Sequence, residues 1–257
     1  MITSFSKQSL KPANHSILRS LEEWKASQSA NDMISTQPTV NSIPNIAHAH
    51  AYSRHVSVNS KLKRVVDVVG ALVGLAITTV LFIPLAIVVQ LDNPGPVLYS
   101  QIRCGVQGRT FRIWKFRSMV QNADGLKHGL QDQNQASGHI FKMKDDPRIT
   151  RVGKLLRKTS LDEFPQFWNV LMGEMSLVGT RPPSLDEVAK YDRNHWQRLT
   201  VKPGITGEWQ ANGRSSVIDF EDIVKMDLDY QEKWSVLYDL QLIFKTVWVV
   251  FNKKGAC

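Results

Sequence analysis

The sequence predicts an α+β protein seated in a membrane, with one membrane-inserted re-entrant helix, amphipathic interfacial helices and a compact cytoplasmic region. Three observations lead there. An uncharged run from Val68 to Val89 covers about 22 residues, and a bilayer-spanning helix needs ~20. Behind it, short apolar strands give way to stretches of helical periodicity. The balance of 32 Lys+Arg against 23 Asp+Glu, net +9 over 257 residues, favours an anionic surface or ligand.

Residues 1–58 are rich in Ser, Asn, Gln and His, with a short helical suggestion from Ile17 to Trp24. Such a composition buries too little apolar surface to fold and reads as a disordered cytoplasmic extension. His48, His50 and His55 lie there without a second cluster to close a metal site, so they read as ordinary polar residues. Cys104 and Cys257 have neither metal-ligand spacing nor a disulfide framework, and a reducing cytoplasmic face is the default. The apolar run is preceded by a long polar stretch, so it does not read as a cleavable signal peptide.

Residues 59–92 form the membrane-inserted segment. Arg54, Lys61, Lys63 and Arg64 precede its apolar run, and Arg103, Arg109, Arg112, Lys115 and Arg117 follow. A crossing helix carries such an excess on its cytoplasmic side only. Pro84 removes one internal backbone hydrogen bond and should kink the helix. Symmetric flanks and a central proline predict a helix-break-helix with both ends cytoplasmic. A kinked span with the remainder translocated is the competing reading, because proline is tolerated in spanning helices.

Asn93-Pro94-Gly95-Pro96 is a turn and opens the third region, 93–257. Val97 to Ile102 and Arg109 to Met119 read as strands around Gly105 and Gly108, and the polar stretch 124–138 reads as a loop. Helical periodicity follows in Val152 to Arg157, Asp162 to Met172, Asp186 to Arg198 and Tyr238 to Phe251. The last of these mixes apolar residues with Lys245 and Trp248 and suits a headgroup surface. No fixed-period repeat is present, which excludes a solenoid, and the composition excludes collagenous, wholly disordered and disulfide-stapled classes.

The chemistry-bearing residues are densest in DDPRITRVGKLLRKTSLDEFPQFWNVLMGEMSLVGTRPP, from Asp145 to Pro183, and in KPGITGEWQANGRSS, from Lys202 to Ser216. Ser160-Leu161-Asp162-Glu163 has the form of a capping box. Pro165 is comfortable only in a first helical turn, which places Asp162 and Glu163 at a helix start. On local sequence alone the two acids read as capping residues. A helix start also holds its first acids in fixed positions, so a chemical role is compatible with a capping one.

KRVVD at Lys63 to Asp67, the Pro-interrupted apolar segment, NPGPVLYSQIRCG, FRIWKFRSM and the two stretches above follow one another in an order that strongly resembles the bacterial sugar transferases. These are the monotopic polyprenyl-phosphate phosphoglycosyl transferases, and the resemblance runs to the C-terminal helix. It implies that a sugar 1-phosphate moves from a UDP-sugar to polyprenyl phosphate, initiating surface glycan or exopolysaccharide synthesis. The place implied is the cytoplasmic face of the bacterial inner (plasma) membrane, and residues 93–257 become the catalytic region. In the implied mechanism Asp162 attacks the sugar-linked phosphate, UMP leaves, and polyprenyl phosphate displaces the aspartyl phosphosugar. Glu163 is the implied Mg2+ ligand, since this hard cation takes carboxylate oxygens.

By the same resemblance Arg157, Arg181 and Arg214 clamp diphosphate oxygens with their planar forks, and Asp227 and Asp239 join the substrate-binding set. Taken alone, helix acids such as these default to a solvated surface. Trp114, Phe116, Phe164, Phe167 and Trp168 read as packing or interface residues, and Cys104 as a small buried hydrophobe. Anionic membrane lipids and other glycan-assembly enzymes are the expected partners, and nucleic acid is not. Two competing functions are a catalytically inactive membrane scaffold and a basic anionic-ligand-binding module. The module explains the charge but not the linked dyad, arginines and PGITG pattern, and the intact dyad argues against the scaffold.

Overall fold

A computed structural model describes residues 51–212 and 217–252. The expected N-terminal extension up to residue 50, with His48 and His50, lies outside the described residues, as do Arg214 and Cys257. The dominant element is α1 (Lys61–Asp92), capped by Ser60, whose side chain accepts from the Lys63 N–H. At 1.5 Å per residue it is ~48 Å long, long and apolar enough to cross a membrane. Lys63, Asp67, Ala71, Gly74, Thr78 and Val89 are its buried residues, and all but the last follow the 3–4 residue spacing of a single helical stripe. Val69, Leu72, Val80 and Ile83 stand exposed around the rest of the cylinder.

Helical structure continues through Pro84 to Asp92, so the expected helix-break-helix is one uninterrupted helix. Proline withholds only its own N–H, from the Val80 carbonyl, and the bonds on either side suffice to carry the helix past it. Near its start, Lys63 donates to the Val178 carbonyl (2.9 Å) and to Asp239 (2.6 Å). One turn on, Asp67 accepts from the Ser176 hydroxyl and the Leu177 N–H, both at 2.8 Å.

At the other end Asp92 accepts from the Val152 N–H at 2.9 Å, in the first turn of α2 (Arg151–Thr159). The Arg117 guanidinium donates to the carbonyls of Asn93 and Pro94, where the negative end of the helix dipole favours a cation. Both ends of α1 are therefore fastened by polar bonds to the same body of the chain.

β1 (Leu98–Cys104) and β2 (Thr110–Phe116) form the expected antiparallel hairpin, in register from Leu98↔Phe116 to Cys104↔Thr110. Its turn takes Gln107 (φ 53) and Gly108 (φ 76) into left-handed geometry, which glycine adopts without strain. After α2 come α3 (Gln166–Met172) and β3 (Ser176–Val178). β3 pairs in parallel with β4 (Gly204–Thr206), a ladder too short to leave a periodic signal.

Two expectations need correction, and one helix was not expected. The stretch read as a loop contains a helix, Ala123–Lys127, and a 3-10 segment, His128–Gln133. The single helix expected over 186–198 is a short α4 (Leu185–Val188) and a separate 3-10 segment, His195–Thr200. Between them the Asp192 side chain accepts from the Asn194 and His195 N–H groups, a local bond that competes with helix continuation. A fourteen-residue helix not foreseen, α5 (Phe220–Lys233), starts on an Asp219 cap.

The C-terminal helix α6 (Val236–Phe251) forms as expected, and Leu237, Phe244, Val247 and Trp248 stand exposed on it while Leu242 is buried.

Candidate active site

α2 ends at Ser160, whose φ of 57° makes it the left-handed closing residue, and its N–H donates to the carbonyls of Leu156 and Arg157. The expected capping box is therefore absent, because Ser160 closes the preceding helix and its side chain does not cap the next turn. Leu161–Glu163 form a 3-10 turn, and Pro165 is the N-cap residue of α3. The acids do sit at a helix start, held there by backbone geometry. Thr78 of α1 donates to the Phe164 carbonyl at 3.4 Å.

A methyl group on Gly74 would overlap the Phe167 ring, so only glycine lets α1 and α3 approach this closely. Asn169 fixes α3 to β2 by accepting from the Trp114 N–H (3.3 Å) and donating to the Arg112 carbonyl (2.7 Å). Arg64 closes the other end of α3, donating to the Val170 and Leu171 carbonyls at 2.7 Å each. The dyad is thus carried on an element secured at both ends.

Asp162 is 7% exposed. Burial, with the adjacent Glu163 charge behind it, pushes its carboxyl up to about 6, while Lys115 and Arg157 pull the other way. Glu163 receives Lys115 Nζ at 3.0 Å. Two carboxylates and two cations thus share one site: Asp162, Glu163, Lys115 and Arg157. Lys115 reads from sequence as one of several basic flanking residues, although it stands inside FRIWKFRSM; only the pairing of β2 with the dyad turn singles it out.

Arg181, Asp227 and Asp239 each bond to partners outside the dyad. Arg181 pairs with Glu187 at 2.9 Å, and Arg103 lies 3.9 Å from the same carboxylate. Burial pushes Glu187 up, but Arg181 and Arg103 more than reverse this and leave it below the usual range. Arg198 donates to Asp227 at 2.8 Å through Nε, lies 2.6 Å from it through Nη2, and donates to Tyr191 at 2.6 Å. Asp239 accepts from Lys63, Tyr230 (2.8 Å) and Trp234 (3.2 Å).

Asp227 and Asp239 are 1% and 2% exposed, so the surface default for helix acids fails at both. Each carboxylate is buried against a cation, the condition under which burial is tolerated. Cys104 is fully buried among Val188, Trp196 and their neighbours, and burial pushes its thiol up to about 12, as suits a packing residue. His55 caps a short helix by accepting from the Ser57 N–H. Phe116 is buried, Phe164 and Phe167 pack edge to face, and Trp168 is half exposed.

Residues 58–253, from the start of the apolar helix through α6, match the family described as bacterial sugar transferase. The chain belongs to the bacterial sugar transferase family. Curated relatives within it include the galactosyl transferase CpsE of Streptococcus agalactiae, 50% identical over 76% of this chain and 43% of its own length. The undecaprenyl-phosphate galactose phosphotransferase of Salmonella typhimurium is 44% identical over 76% of this chain and 41% of its own. The exopolysaccharide production protein ExoY of Sinorhizobium fredii is 39% identical over 76% of this chain and 87% of its own. The chain thus spans less than half the length of the first two and most of the third.

Among the described residues no three His, Cys, Asp or Glu side chains group into a metal-holding cluster. Mg2+ is commonly held by one or two carboxylates together with substrate phosphates and water. In this bacterial sugar transferase Glu163, partly exposed beside Lys115, is an oxygen donor of that kind. Beside Lys115 and Arg157 the two carboxylates are balanced in charge before an anionic phosphate approaches.

Proposed function

We propose that this chain transfers a sugar 1-phosphate from a UDP-sugar to polyprenyl phosphate at the cytoplasmic face of the bacterial inner membrane, initiating surface glycan or exopolysaccharide synthesis. The observation that carries this is the buried Asp162 carboxylate, paired with Glu163 and faced by Lys115 and Arg157 on a turn bonded to the long apolar helix. An Asp162 oxygen attacks the phosphorus that bears the sugar, and the diphosphate P–O bond breaks so that UMP departs with the bonding pair. A phosphate oxygen of the polyprenyl acceptor then attacks the same phosphorus, the acyl phosphate bond breaks, and the carboxylate is regenerated. Glu163 would hold Mg2+ with the donor phosphate oxygens, and the ion would offset the charge of the approaching anions.

Incubating the protein in nanodiscs with a panel of UDP-sugars, polyprenyl phosphate and magnesium tests this directly. UMP and a sugar-diphosphate lipid should form in equal amounts. UMP release without any lipid product, or neither product across the panel, would defeat the assignment.

The acid limb of the activity follows from the raised Asp162 carboxyl. Attack requires the anion, so kcat/KM should rise as pH climbs through about 6 and level off above it. Lys115→Met removes a cation that favours the charged form, so the limb should move to higher pH. A limb that stays in place would separate Lys115 from the ionisation of Asp162.

The re-entrant topology belongs to the same proposal, with α1 bent at Pro84 while remaining helical. Lys63 and Asp92, near opposite ends of α1, bond to residues of one polar body, which supports both ends lying on one side of the bilayer. Tags placed at the N-terminus and after Cys257 should both be reached only from the cytoplasmic side. Pro84→Leu restores a backbone donor and should increase the fraction of molecules that span, and opposite-side tags in the parent protein would refute re-entry.

A further inference from the structure

Resting on the transferase assignment, we propose that Gln166 is a further catalytic residue, its side-chain N–H donating to a non-bridging oxygen of the phosphoryl group that Asp162 takes from the UDP-sugar. Gln166 is the first residue of α3 and is 2% exposed. Its Nε2 is buried and has no hydrogen-bond partner. A buried donor left unpaired carries a free-energy cost that folded proteins ordinarily avoid, so this one calls for an acceptor from outside the chain.

The stripe on which Gln166 lies locates that acceptor. Glu163, Gln166 and Asn169 follow at three-residue spacing, which sets side chains one above another on a helical turn. The two outer members both meet β2. Glu163 receives Lys115 Nζ at 3.0 Å, while Asn169 accepts from the Trp114 N–H at 3.3 Å and donates to the Arg112 carbonyl at 2.7 Å. Gln166, between them, therefore faces the same strand. Asp162 stands four residues before it, again within about one turn, and is itself buried.

Asn169 supplies the contrast. It carries the same amide group one turn further on, is 1% exposed, and also donates to Glu174 at 2.7 Å. Both ends of that amide are used in holding α3 in place. Gln166 Nε2 holds nothing.

The group that comes to this stretch during turnover is anionic oxygen. As an Asp162 oxygen bonds to the phosphorus that bears the sugar, the bond to UMP breaks and UMP leaves with the electron pair. Negative charge is spread over the remaining phosphoryl oxygens as this happens, and a fixed N–H in a buried site stabilises it there. The amide keeps its proton throughout. Lys115 acts as a point charge, whereas a single amide N–H singles out one of the two non-bridging oxygens.

Gln166→Met keeps the length of the side chain and removes the donor. With a cognate UDP-sugar, magnesium and no acceptor, its UMP burst should be slower than the parent's by about 10- to 100-fold. Its thermal midpoint should not fall, because the lost N–H bonds to nothing in the free protein. UDP-sugars with sulfur in place of one non-bridging oxygen on the sugar-bearing phosphorus exist as two diastereomers, and only one sets sulfur, a weak acceptor, against the amide. The ratio of burst rates for the two should change by about fivefold or more between parent and variant.

An unchanged burst would overturn the proposal. So would a slower burst with an unchanged diastereomer ratio, which would make Gln166 a packing residue. If Gln166→Met fails to fold, Gln166→Asn, which keeps an amide but withdraws it by one carbon, gives the same two comparisons. A parent protein that releases no UMP with any UDP-sugar would sink the transferase assignment, whereas a parent burst that Gln166→Met leaves intact sinks only the role of Gln166.

Discussion

Asp162→Asn should abolish sugar-phosphate transfer, by on the order of 10³-fold or more, while leaving a folded and no less stable protein. Asparagine keeps the shape of the side chain but has no anionic oxygen with which to attack phosphorus. With UDP-sugar and magnesium but no acceptor, the parent should release at most about one UMP per site and carry a phosphosugar mass on Asp162. The variant should do neither. A variant that turns over, once deamidation is excluded by intact mass, would remove Asp162 from the chemistry.

The stability half of this expectation follows from the same burial. The Asp162 carboxyl rises from 3.8 to about 6 on folding, so the folded state binds its proton more tightly than the unfolded chain. The native state is therefore penalised increasingly as pH rises from about 4 to about 6, and the penalty is full above that. Asparagine carries no such penalty. Its thermal midpoint at pH 7–8 should equal or exceed the parent's, and the difference should shrink as pH falls toward 4. A site held at a stability cost for its reactivity behaves in this way.

The uncharged run from Val68 to Val89, the hairpin around Gly105 and Gly108, and the dyad at a helix start were all legible because each rests on local chemistry: apolar length, turn residues and a proline-marked helix start. The capping box failed because Ser160 takes a left-handed φ, a choice made by the end of the preceding helix and not encoded in the S-x-x-E spacing. The helix over 186–198 failed because one aspartate side chain diverts the backbone at Asp192. Lys115, Arg198 and Glu187 acquire their meaning from partners 48, 29 and 6 residues away. For the first two, sequence offers no periodicity from which to infer the pairing.

Asp227 shows how such a partner changes the role assigned to a residue, and it carries the second large effect. Arg198 and Asp227 are 2% and 1% exposed and meet at 2.6 Å, with Tyr191 as a further acceptor and the Phe220 ring 5.4 Å from the guanidinium carbon. Removing one member of a buried pair strands the other charge, which typically costs about 3–5 kcal/mol. Arg198→Met should therefore lower the thermal midpoint by roughly 10 °C.

Asp227→Leu should do the same, because it leaves the guanidinium buried without a carboxylate. The double variant Arg198→Met/Asp227→Leu strands neither charge and should regain most of the loss, since a well-packed apolar pair can replace a buried ion pair. Its turnover then decides between the two roles open to Asp227. Restored turnover along with restored stability would make the carboxylate a structural partner of Arg198, with no contact to substrate required. Recovered stability without activity would instead return Asp227 to the substrate-binding set. A double variant no more stable than either single change would show that the destabilisation comes from lost packing around Tyr191 and Phe220, not from an uncompensated charge.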